Sequence, residues 1–212
     1  MTQSTDIMEK DREEIKPERE NGTHWLERRS FRIALMSIFS ALSLVVGYML
    51  VSIPNIELFT LIIFLSGFIL GEKEGAAIGL ISSFLFCFFN PMGASALPLL
   101  TVQLIYYSLI GFLGGYIKKK MEKQSFYDPL GDLYVFPVLI IFGIIAATMT
   151  SAYQFFSQLV DYISYFAMQE TFFIYIIPGI PFTAVHIIGN TLGFLFILPG
   201  LIQITHNLIN SQ

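Results

Sequence analysis

Six polar side chains stand inside or beside long apolar runs of this sequence: Asn55, Glu57, Asn90, Gln103, His186 and Asn190. A carboxylate, an imidazole and several amides in such company are costly to bury, so they face an interior cavity or pair with one another. Together they can accept and donate hydrogen bonds to a solute. His186 and Asn190 lie four apart and share one face of a helix. Tyr106, Tyr107, Tyr153 and the aromatic stretch 155–175 fall at comparable depth. Their flat faces suit a partly apolar ligand. The 162–175 aromatics suit equally a belt at the membrane surface or a lid over such a site.

Other chemistry finds no support. There is no phosphate-binding glycine loop with its lysine, so the chain carries no ATPase of its own. No G-x-S-x-G, H-E-x-x-H or Cys/His pairing is present, so the chain is not expected to be an enzyme. His186 has no second His, Cys or carboxylate at ligand spacing, so neither a metal nor a resident cofactor is expected. Cys87, the single cysteine, excludes an internal disulfide and reads as a small packing residue.

The elements that position the polar residues are membrane spans. Of 212 residues, 54% are hydrophobic, more than a soluble fold of this size hides. They come in blocks. From Phe31 to Ile117 the only charged residues are Arg32, Glu57, Glu72, Lys73 and Glu74; from Leu133 onward they are Asp161 and Glu170. About 20 apolar residues cross a bilayer as a helix. The blocks predict an all-α membrane protein, a six-helix bundle. The spans are Ile33–Val51, Leu58–Leu70, Ala76–Phe89, Leu97–Ile117, Tyr134–Phe156 and about Pro181–Ile204. The second and third are short. Joining Ile53 to Leu70 as one tilted span relieves this for the second; a re-entrant hairpin is the alternative. Residues 1–30 are strongly polar and are expected to be a disordered cytoplasmic tail ahead of a transmembrane domain at 31–207.

All twelve Lys and Arg fall in the tail, the 71–75 turn, the 118–132 loop or at their edges. The positive-inside rule then sets both termini in the cytoplasm. That orientation gathers the polar clusters in the outer half of the bundle. Small residues recur at Gly67, Gly71, Gly75 and Gly79, at Gly111, Gly114 and Gly115, and at Ala34, Ser37 and Ala41. Such spacing lets helices approach closely, for packing within the bundle or for docking another membrane protein.

The ordered set Ile53-Pro54-Asn55-Ile56-Glu57, Phe64-Leu65-Ser66-Gly67, Gly75-x-x-x-Gly79, Asn90-Pro91-x-Gly93, Gln103 and Gly111-x-x-Gly114-Gly115 resembles the substrate-binding S components of energy-coupling factor (ECF) transporters. His186-Ile187-Ile188-Gly189-Asn190-Thr191, with Pro199 beyond, is similar to their sixth helix. The resemblance covers about Ile33 to Gln203. It implies a multi-pass plasma-membrane protein that captures a vitamin or related micronutrient from outside. It also implies a partner module of one transmembrane coupling protein and two cytoplasmic ATPases, which supply the ATP hydrolysis. The family's first helix docks on the coupling protein through an Ala-x-x-x-Ala motif, which here reads Ser37 and Ala41, with Ala34 one turn earlier. The expected substrate-binding residues are Asn55, Glu57, Asn90, Gln103, Tyr106, His186 and Asn190. Two alternatives stand beside this: a structural or assembly protein without a ligand, and an intramembrane enzyme using His186 and Glu57 as acid and base.

Overall fold

A computed structural model of the chain describes residues 28–53, 55–167 and 170–210; the tail expected over 1–30 lies almost wholly outside the described residues. The described residues are helical, with no strand among them. The helices are α1 (Arg29–Leu50), α2 (Phe59–Leu70), α3 (Glu72–Phe88), α4 (Leu97–Met121) and α5 (Phe136–Asp161). A π-helical turn (Tyr162–Phe166) continues α5. Then come the short α6 (Phe172–Ile176), a 3-10 turn (Ile177–Gly179), α7 (Ile180–Phe196) and α8 (Leu198–Asn210). Four helical stretches are long and apolar enough to cross a membrane: Arg29–Leu50, Leu97–Met121, Phe136–Phe166 and Phe172–Leu208.

α2 is the axis of the bundle. It is apolar all round, and every residue except Ile69 is buried, as a helix enclosed by other helices requires. It touches α1, α3, α4, α7 and α8. Its 12 residues rise only about 18 Å, short of a hydrocarbon core of about 30 Å. The tilted span expected from Ile53 to Leu70 does not form. Residues 51–53 and 55–58 are non-helical, with turns closed by Ile53 N–H to Leu50 and Ile56 N–H to Ile53. Asn55 sits at φ 59°, in the left-handed region that ends a helix. Irregular backbone at membrane depth is tolerated where it lines a cavity, and this loop does so.

The recurring glycines form a seam within the bundle. A Cβ added at Gly67 would overlap the Gly111 carbonyl; at Gly75, Gly111 again; at Gly79, the Tyr107 carbonyl; and at Gly114, the Phe64 carbonyl. α2, α3 and α4 therefore meet backbone to backbone, as small-residue packing in lipid allows. Gly71, at φ 111°, makes the reversal between α2 and α3.

The two ends of the bundle differ chemically. At one end Arg32 of α1 reaches Glu74 (2.6 Å) and the Leu70 carbonyl (3.0 Å), while Lys119 of α4 reaches Glu72 (2.8 Å). The loop between α4 and α5 closes the same end. Gln203 donates to the Gly131 carbonyl at 2.5 Å, and Tyr134 to that of Phe196 at 2.8 Å. Every described Lys and Arg belongs to this end. The outer faces of the helices present large apolar side chains such as Ile38, Val45, Ile105, Ile144 and Ile188, the surface a lipid solvent accepts.

Candidate functional site

The opposite end holds a polar cavity of about 400 Å³. Its walls come from the 51–58 loop, the ends of α1, α3 and α5, and the starts of α4 and α7. Among the expected site residues, Asn55, Glu57, Asn90, Gln103 and His186 line it together.

Glu57 is the centre of the site. It lies two residues before α2, where the Asn55 turn leads the loop into the helix, and its side chain is 20% exposed. Three donors converge on its Oε1. The Thr60 hydroxyl donates from 2.5 Å, one turn into α2; His186 Nε2 lies at 3.2 Å, and Asn190 Nδ2 at 3.4 Å. The Gln154 amide donates to the other imidazole nitrogen, Nδ1, at 2.6 Å. An Nδ1 that accepts fixes the imidazole with its proton on Nε2, directed at the carboxylate. Asn190 also donates to Thr150 Oγ1 at 3.1 Å. The spacing that put His186 and Asn190 on one face of α7 matches the i, i+4 pair Thr150 and Gln154 on α5, and the two faces interlock.

Not every expected residue reaches the cavity. Asn190 is 3% exposed and supports Glu57 from behind. Tyr106 does not line the cavity. Its ring packs on Tyr107 and Tyr153, with centroids at 5.0 and 4.8 Å, and faces an apolar cleft between α4 and α5. Asn90 is half-buried at the rim, where its Oδ1 accepts the Met92 N–H at 2.8 Å. Gln103 is 8% exposed; its amide donates to Tyr153 Oη at 3.2 Å, and its Oε1 has no partner. Ser157 Oγ, also on the cavity wall, is likewise buried without a partner.

Tyr107 and Tyr153, expected as aromatic faces, line the cavity. Gln154, Ser157, Gln158 and Asp161, which also line it, were not singled out as site residues in the sequence. Gln158 is anchored by its amide to Thr183 Oγ1 at 3.0 Å. The signal was available: Thr150, Gln154, Gln158 and Asp161 form a polar stripe at helical spacing in an otherwise apolar span. Cys87 is buried and also borders the cavity. The aromatics of 162–175 pack largely on one another, Tyr162 on Phe172 and Tyr175, and Phe166 on Tyr175.

A pocket of this size with converging polar groups and aromatic walls has the anatomy of a small-molecule site. Residues 31–198 match the family described as ECF transporter, substrate-specific component. The chain belongs to that family. As a member it is a substrate-specific subunit of a membrane transporter of the ECF type. No curated protein and no solved structure matches the chain.

Proposed function

We propose that this S component captures a vitamin or similar micronutrient from the extracellular side, in the cavity built around Glu57, and hands it to an ATP-driven partner module. The observation that carries the proposal is the convergence of Thr60, His186 and Asn190 on one oxygen of Glu57, at the wall of a cavity that retains unpartnered polar atoms. A merely structural carboxylate would have no reason to border such a space, since a half-satisfied polar network costs stability. The separation of basic residues from the cavity, at opposite ends of the bundle, supports an orientation with both termini inside and the cavity mouth outside. Counting α2 and α3 with the four long stretches then gives six spans.

Docking on the coupling subunit is proposed for the outer face of α1. Ala34, Ser37 and Ala41 are all exposed there, while the opposite face buries Phe39, Ser40, Ser43 and Gly47. Small exposed residues at one-turn spacing permit close approach of another helix. The ATPase subunits, as cytoplasmic partners, then lie beyond the basic end.

The test is purification in detergent, denaturing elution and mass spectrometry of whatever small molecule accompanies the protein, paired with uptake assays in cells with and without the ECF module. A bound micronutrient taken up only with the module is expected. A protein that binds no solute, with uptake indifferent to its presence, would end the proposal.

A further inference from the structure

We infer that the ligand is an elongated ring compound that carries a positive charge or N–H donors and has no carboxylate or phosphate. The inference rests on the cavity being the capture site and names the class of compound it takes.

Charge comes first. Among the described residues two carboxylates, Glu57 and Asp161, line the cavity, and no Lys or Arg does. Anionic ligands are held by Arg forks or Lys ammonium groups because a desolvated anion otherwise lacks compensation. Here an anion would be desolvated beside two like charges. His186 offers it nothing, because its one proton already points at Glu57.

Hydrogen-bond polarity agrees. Each of the three glutamine amides has one N–H engaged, Gln154 on His186, Gln158 on Thr183 and Gln103 on Tyr153. All the ionised groups that remain are acceptors. Gln103 Oε1 is buried and unpartnered. The three bonds to Glu57 all end on Oε1, leaving Oε2 for a ligand. The donors that remain are neutral: the Asn90 amide at the rim, whose carbonyl oxygen is engaged, the second N–H of each glutamine, and the Tyr107 and Tyr153 hydroxyls. The Tyr107 and Tyr153 rings add π-faces, which attract cations and stack on flat rings.

Length follows from the helix. Glu57 is tied through His186 to the level of Gln154. Asp161 lies seven residues further along α5, about 10 Å up the axis. A ligand with donor groups near both ends meets both carboxylates. A cavity of about 400 Å³ is toward the small end for such sites, which excludes a bulky macrocycle.

The experiment is thermal-shift and direct binding of the purified full chain with thiamine and pyridoxamine (cationic), riboflavin (neutral donor), and biotin, pantothenate and pyridoxal 5′-phosphate (acidic), alongside mass spectrometry of any co-purified compound. Stabilisation is expected only from compounds without an acid group. Glu57→Gln should weaken the binder roughly 10- to 100-fold, the range for a hydrogen bond to a charged group. Asp161→Asn, at a half-exposed site where folding is not at stake, should weaken it several-fold. A tightest ligand bearing a carboxylate or phosphate overturns the inference and leaves the capture role standing. So does an acid-free ligand whose affinity is untouched by both substitutions. If nothing in the panel binds and nothing co-purifies, the capture role itself fails, and the inference with it.

Discussion

Replacing Gly111 with alanine adds one methyl group at one of the tightest points of the bundle. Its Cβ would overlap the Gly75 carbonyl and crowd the Ala76 nitrogen at 3.0 Å. Both are backbone atoms, so no rotamer change relieves the clash; α3 and α4 must separate as bodies. Separation loosens the neighbouring contacts of the seam, because Gly67, Gly79 and Gly115 rely on the same close approach. Overpacking of this kind costs about 1–3 kcal/mol. Alanine returns about 0.5–1 kcal/mol through its better helix propensity, so a net loss of about 1–2 kcal/mol is expected. Gly189→Ala is the control. Its added Cβ meets only the Asn55 carbonyl, at an ordinary 3.6 Å, so it should be neutral or slightly stabilising. The assay is equilibrium unfolding of both variants in mixed micelles of dodecylmaltoside and sodium dodecyl sulfate, followed by circular dichroism. Equal stability of the two variants would refute the seam. Because Gly67 and Gly111 share one contact, Gly67→Ala combined with Gly111→Ala should cost less than the sum of the single changes.

His186→Ala removes the proton donor facing Glu57, and ligand affinity should fall at least tenfold by calorimetry; undiminished affinity would remove His186 from the site. Asn190→Ala, one turn further along α7, strips partners from Glu57 and Thr150 in a buried setting and should lower unfolding free energy by about 1–3 kcal/mol, with a smaller effect on affinity than His186→Ala. Ser37→Leu with Ala41→Leu should abolish module-dependent uptake while ligand binding by the purified chain stays unchanged; loss of both together would contradict a docking role for that face. Cys87, as the single thiol and a wall of the cavity, should react with a small methanethiosulfonate more slowly once ligand is bound. Arg32→Ala breaks contacts that are partly exposed (37% and 23% for the Arg32 and Glu74 side chains) and should cost no more than about 1 kcal/mol.

The apolar blocks alone determined that the chain is a bundle of membrane helices. They also fixed which glycines draw helices together, because hydrophobic length and small-residue spacing are local properties of the chain. That Asn55, Glu57, Asn90, Gln103 and His186 lie toward one end of the bundle was legible for the same reason: each lies near a span end. Partnership was not legible. Glu57 and His186 are separated by 129 positions, and nothing in either neighbourhood marks the other. Their meeting depends on α2 standing at the centre with α7 against it, and on α5 turning Thr150 and Gln154 toward the same face. The same packing retired Tyr106 behind Tyr153 and set Asn190 in support rather than in the cavity. It also replaced the first part of the second span with a loop, because a helix wholly enclosed by others needs no lipid-facing length, and irregular backbone is stable where it borders a polar space. Sequence fixes what each helix can bury; only the arrangement of helices decides which buried polar groups find each other and which are left to bind something else.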